Sequence, residues 1–244
     1  MSRLTMTWLG HASFMLEDGV SILLDPWIEG NPACPRSLAD FRDIDLICVT
    51  HGHNDHLGDA LELCRRTGAR LICSPEIAYY ADKRGIKYDE GSWPLNIGGT
   101  YRAEGIEIVM VDARHTADIL GEEFKEDGTI MPGSGCCGYV VRVGDGPAVY
   151  YGGDTGVFGD MALIRELYAP VVAILPIGGK YTMGLKEAAH AAKLLTPRLL
   201  IPIHYNTFPD QAADTDEFRR LVGLASPSTE VVVLKPGESY TMSE

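Results

Sequence analysis

Apolar residues in the first third of the chain fall in short runs separated by turn residues. Residues 4–9, 13–17, 21–24 and 45–50 are rich in aliphatic or β-branched side chains, and breaks such as Asp18-Gly19 divide them. Runs of this kind predict strands. The spacing then turns helical over 59–66, where Leu61, Leu63 and Cys64 are available for burial. A strand at 71–73 and a helix at 75–84, closed by Gly85, come next. Strands at 99–103 and 106–111 pair across Glu104-Gly105. A second set follows: strand 138–143, a turn at 144–146, strand 148–151, helix 158–167, strand 171–176, helix 185–195, strand 199–202, helix 215–225 and strand 230–234. Two β-rich halves, each closing with helix–strand alternation, predict an α/β sandwich of two face-to-face sheets with helices outside. With no linker in between, a single domain over 1–244 is expected.

Residues 116–135 fit neither pattern. They hold the acidic run Glu122-Glu123-Phe124-Lys125-Glu126-Asp127, then Gly128, Pro132, Gly133 and Gly135. A connection this long is usually functional or disordered. A lid and a solvated surface excursion both remain open.

Composition narrows the function. The 244 residues carry 21 Lys+Arg against 34 Asp+Glu, a net charge of −13, which disfavours long nucleic acids as partners. No apolar run reaches the roughly 18–20 residues of a membrane span. The opening Met-Ser-Arg-Leu-Thr-Met lacks a cationic segment leading into an apolar one, so a secretory signal is not expected. Cys34, Cys48, Cys64, Cys73, Cys136 and Cys137 form no C-x-x-C pair and mostly sit in apolar runs. Reduced, buried thiols in a cytoplasmic protein are the expectation. Self-association is left open.

The chemistry concentrates in Thr50-His51-Gly52-His53-Asn54-Asp55-His56, on the loop that leaves an apolar strand. Alternate side chains of a tight loop can face different points, so His51 and His53 can share one ion while Asp55 and His56 face another. Imidazole and carboxylate together suit zinc, iron, manganese or nickel. Surface histidines offer a blander reading, but it does not explain why an apolar strand should deliver three imidazoles and a carboxylate to one turn. His115, Asp154 and His204 each follow a predicted strand, where loops converge, and Gly152 and Gly153 allow close backbone approach before Asp154. Asp25 and His11 also end predicted strands, which suits them to orient the ligands or, for His11, to meet the substrate.

His51-x-His53-x-Asp55-His56 resembles the signature of the metallo-β-lactamase superfamily, whose fold is a four-layer αβ/βα sandwich. The resemblance implies that His51, His53 and His115 hold one metal, that Asp55, His56 and His204 hold a second, and that Asp154 bridges them. Leu9-Gly10-His11-Ala12-Ser13, Tyr181-Thr182-Met183-Gly184 and His204-Tyr205-Asn206 look like one branch. That branch contains uncharacterised metal-dependent hydrolases related to L-ascorbate-6-phosphate lactonase.

Two divalent ions follow as the expected cofactor, zinc first and manganese or nickel next. Metal binding lowers the pKa of water towards about 7, so a metal-bridged hydroxide can attack carbonyl carbon or phosphorus. Asp55 would orient it and accept its proton. Lys180, on the loop after strand 171–176, is the candidate cation for a substrate carboxylate or phosphate, and Tyr205 is a candidate oxyanion donor. A hydrolase of a small anionic ester or lactone is the leading expectation. A phosphodiesterase acting on nucleotides or nucleic acid and a non-catalytic metal-binding protein are the alternatives. A di-iron oxygen-reducing site is disfavoured, because such relatives usually carry a carboxylate where His53 stands.

Overall fold

The computed structural model describes residues 3–243. Its first sheet begins with β1 (Arg3–Gly10), β2 (Ser13–Glu17), β3 (Ser21–Leu24), β4 (Leu46–Cys48), β5 (Arg70–Cys73) and β6 (Ser92–Pro94). The second is built from β7 (Thr100–Ala103), β8 (Ile106–Asp112), β9 (Cys137–Val143), β10 (Val149–Tyr151), β11 (Val172–Pro176), β12 (Leu199–Ile203) and β13 (Glu230–Val231). A last strand, β14 (Ser239–Ser243), returns to pair antiparallel with β1 and brings each sheet to seven strands. Helices α1 (Ala60–Thr67), α2 (Pro75–Asp82), α3 (Glu122–Asp127), α4 (Met161–Tyr168), α5 (Leu185–Leu195) and α6 (Thr215–Ala225) complete the fold. Two mixed sheets with helices form the expected α/β sandwich.

Side-chain alternation explains the layers. In the first sheet Leu4, Met6, Trp8, Phe14, Leu16, Ile22, Leu24 and Cys48 join the large core shared with the second sheet. Their neighbours Leu9, Met15, Leu23, Ile47 and Cys73 pack instead with Leu61, Leu63, Ile77 and Ala81 of α1 and α2. The first sheet is therefore apolar on both faces. Local signals fix several helix ends: the Ser74 side chain accepts from Ile77 N with Pro75 at the first helical position, and Asp214 accepts from Asp216 N and Glu217 N.

Strand direction places the chemistry. β1 and β3 are each antiparallel to β2, and β4 is parallel to β3, so all three end at the same edge. In the second sheet β8 and β10 are antiparallel to β9, while β11 and β12 run parallel to β10. Every candidate residue follows one of these co-directed strands.

Some expectations need correction. β6 and β14 lie where no strand is expected; each is short and interleaved with polar residues or proline, so its pattern is weak without its partner. The strand expected over 230–234 is reduced to Glu230–Val231. Residues 116–135 carry α3, and an isolated bridge joins Ile119 to Met131. Among the described residues no helix is long and apolar enough to cross a membrane.

Candidate metal centre

Asp25 organises the centre from beneath. It is fully buried at the end of β3 and accepts from Thr50 N (2.7 Å), Thr50 Oγ1 (2.7 Å), His56 Nδ1 (2.8 Å) and Tyr151 Oη (2.9 Å). Because the Thr50 hydroxyl donates to Asp25, its lone pair accepts from His51 Nδ1–H at 3.0 Å. Both His51 and His56 thus carry their proton on Nδ1 and leave Nε2 bare, the second-sphere arrangement that orients metal-ligating imidazoles. Gly153 keeps this packing close: it has φ +55°, and a Cβ there would stand 2.7 Å from Thr50 Cγ2.

Three groups of ligand-type atoms converge above this base, each with its atoms within 4.8 Å of one another: His51, His53 and His115; His51, His56 and Asp154; and His11, Asp55 and His204. The first is a cage of imidazoles, with ring centroids 4.4 Å apart for His51–His53, 5.2 Å for His51–His115 and 5.1 Å for His53–His115. Asp154 lies between the groups, its Oδ1 3.3 Å from His56 Nε2 and its Oδ2 3.2 Å from His204 Nε2 and 3.6 Å from His115 Nε2.

Eight buried side-chain polar atoms lack a hydrogen-bond partner among the described residues, and five of them are here: His51 Nε2, His56 Nε2, Asp154 Oδ1 and both nitrogens of His204. Short approaches such as His56 to Asp154 do not have hydrogen-bond geometry. Leaving such atoms bare costs about 1–3 kcal/mol each. Directional lone pairs clustered in this way fit metal ions. Backbone strain gathers here too: His11, Asp25 and His204 have φ of 52°, 45° and 54°.

The local electrostatics agree with that fit. Burial, above all, pushes His51, His53 and His115 below the ordinary imidazole range, which favours the neutral, ligating form. Burial acts the same way on His56 but is outweighed by the carboxylates of Asp154, Asp25 and Asp55, so its Nε2 attracts positive charge, which a metal ion can supply in place of a proton. For Asp154, burial opposes ionisation, yet His204 and His56 hold its carboxyl well below the usual range. Asp55 follows the same logic, with burial overcome by His56 and by the hydrogen bond from His11.

Residues 21–205 match the family described as the beta-lactamase superfamily domain. A UPF0173 metal-dependent hydrolase of Methanopyrus kandleri is 51% identical over 236 residues, covering 96% of this chain and 98% of that protein. The chain belongs to the metallo-β-lactamase superfamily. Within it, the chain falls in the UPF0173 metal-dependent hydrolase family; a member from Methanosarcina mazei is 48% identical across 99% of this chain and 100% of its own. The structure of Igni18, described as a novel metallo hydrolase from Ignicoccus hospitalis, shares 39% identity and a TM-score of 0.85, with both chains covered completely.

Against this superfamily frame, the structure revises two expected roles. Tyr205 packs into the core and stacks on Trp8 with ring centroids 5.2 Å apart, so it is not among the side chains lining the cleft over Asp55. His204 faces the metal groups, and the next residue along the strand end points away. Lys180 is at the rim, 45% exposed and paired with Asp210. Its charge is balanced by a residue thirty positions away, so it is not a free anion receptor. Gly178, two residues before Lys180, allows a close backbone approach: a Cβ there would lie 2.2 Å from His204 O.

His11 is more deeply involved than its sequence position suggests. It is fully buried, with Nε2 3.1 Å from Asp55 Oδ2 and Nδ1 2.9 Å from Thr207 Oγ1. Burial pushes its pKa down to about 4, against the opposing hydrogen bond to Asp55. A neutral ring that donates Nε2–H to Asp55 must accept from Thr207 at Nδ1. Neither nitrogen then has a free lone pair, so His11 positions Asp55 despite lying within ligand range.

Thr50, Tyr151 and Thr207 are the participants that sequence reasoning misses. Thr50 directly precedes His51 and Thr207 directly follows His204-Tyr205-Asn206, which are the local signals for these two. The 116–135 segment is also anchored rather than loose. Leu120 N donates to Gly52 O at 2.8 Å, Tyr80 Oη donates to Glu123 Oε2 at 2.9 Å, and the Arg84 guanidinium lies 3.5 Å from the Tyr80 ring centre and pairs with Glu122 and Glu123.

Proposed function

We propose that this protein is a dinuclear metal-dependent hydrolase of a small ester or lactone. The observation that carries the reading is the set of buried, unpartnered lone pairs on His51, His56, His204 and Asp154, converging at one end of the sandwich. In this reading His51, His53 and His115 hold one divalent ion, zinc in the first instance. Asp55, His56 and His204 hold the other, and Asp154 is shared. When bound, the ions would supply Lewis acidity and water activation near neutral pH.

The chain's own residues do the positioning. Asp25 and Thr50 fix the tautomers of His56 and His51. His11 holds Asp55, which lines the cleft and can orient an incoming water. In the net reaction the acyl C–O bond breaks, water oxygen joins the acyl carbon, and the leaving alkoxide gains a proton. The resemblance of Leu9-Gly10-His11 and Tyr181-Thr182-Met183-Gly184 to the ascorbate-6-phosphate lactonase branch supports an acyl substrate over a phosphodiester. The expected anionic character loses its main support once Lys180 is paired with Asp210.

Removal of metal tests the proposal. Dialysis against a chelator should abolish ester and lactone turnover, and zinc, manganese or nickel should restore it with a plateau at about two equivalents per chain. A rate indifferent to chelation would overturn the reading. So would efficient phosphodiester cleavage with no turnover of any ester or lactone.

A further inference from the structure

The open cleft over Asp55 has a volume of about 520 Å³ and is lined by Asp55, Tyr181, Phe208, Pro209, Asp210 and Gln211. That size falls in the range of small-molecule sites. Its two aromatic side chains come from different loops, Tyr181 after β11 and Phe208 after β12, and remain 57% and 40% exposed. Isolated exposed aromatics need no explanation. These two share one cleft with a candidate metal ligand. Trp27 extends the surface: its ring is stacked near Phe208 with centroids 6.4 Å apart, and His11 meets Trp27 edge-on at 5.3 Å and Phe208 at 5.9 Å. The aromatic wall is therefore continuous with the group that positions Asp55.

Charge sets the other limit. Both acidic residues lining the cleft are carboxylates, Asp55 and Asp210, and no Lys, Arg or His lines it among the described residues. The adjacent cation, Lys180, is paired with Asp210, and its Nζ lies 4.8 Å from the centre of the Tyr181 ring. A carboxylate or phosphate on the remote end of a substrate would meet no unpaired cation among the described lining residues. An uncharged ring would meet aromatic faces.

We propose that this cleft is a specificity pocket for an uncharged aryl group, placing an aryl-bearing neutral ester or lactone against the metal centre. The assignment rests on the hydrolase reading for the reaction but not for the binding. Phe208 and Tyr181 supply the apolar faces, and the Lys180–Asp210 pair holds the rim.

The test compares kcat/KM of zinc-loaded protein for benzyl acetate, 4-carboxybenzyl acetate and ethyl acetate, alongside equilibrium binding of the non-hydrolysed N-benzylacetamide. Benzyl acetate should be preferred over both others. In Phe208→Ala and Tyr181→Ala the benzyl-to-ethyl ratio should fall about five- to thirty-fold, with a parallel loss of amide affinity. Phe208→Tyr should retain both, and zinc content should match wild type in all three. Ester turnover with no aryl preference, or with preference for the carboxylated ester, would overturn the pocket and leave the hydrolase reading standing. If no ester turns over, amide binding that Phe208→Ala weakens would support the pocket while removing the ester reading. Absence of amide binding would overturn the pocket.

Discussion

Asp154→Ala should lower kcat/KM by at least about a thousandfold, because it removes the one carboxylate that contacts both halves of the ligand set. Asp154 approaches His56, His115 and His204, whereas Asp55 approaches His11, His56 and His204 but not His115. Zinc content should fall by about one ion or more per chain. The metal-free variant should fold, since the two hydrophobic cores do not include this residue. Comparing metal analysis and circular dichroism of the two proteins separates loss of the site from loss of the fold. Retention of both ions and most of the rate would refute the bridging role.

Asp25→Ala should have the largest effect on stability. The change leaves the Thr50 amide, the hydroxyls of Thr50 and Tyr151 and His56 Nδ1 without their buried acceptor. Breaking such a network costs about 3–5 kcal/mol, read from denaturant unfolding of the metal-free protein. Zinc affinity should also weaken by roughly 10–100-fold as His51 and His56 lose their fixed tautomers. Asp25→Asn keeps an acceptor oxygen and should lose less on both counts. Unchanged zinc affinity in the alanine variant would make Asp25 a purely structural residue.

The reach of the sequence differs from one residue to the next, for physical reasons. The metal loop is legible because four ligand-type side chains fall within six positions after an apolar strand. His115, Asp154 and His204 are legible as strand-end residues, but only the superfamily order joins them to that loop. Tyr151 is hidden because it belongs to an apolar strand, and its bond to Asp25 links residues 126 positions apart. The pairing of β14 with β1 joins opposite ends of the chain, where no local pattern records it. Lys180 shows the converse problem. A cation is visible in sequence, whereas the Asp210 that balances it is visible only in three dimensions.

The central claim is that the two faces of the His51–His56 loop each hold an ion, with Asp154 between them. Anomalous diffraction at the zinc edge from crystals of zinc-loaded protein tests this directly. The account predicts two peaks, one against His51, His53 and His115 and the other against Asp55, His56 and His204, both in contact with Asp154. A single peak at saturating zinc, or a second peak away from these residues, would contradict it.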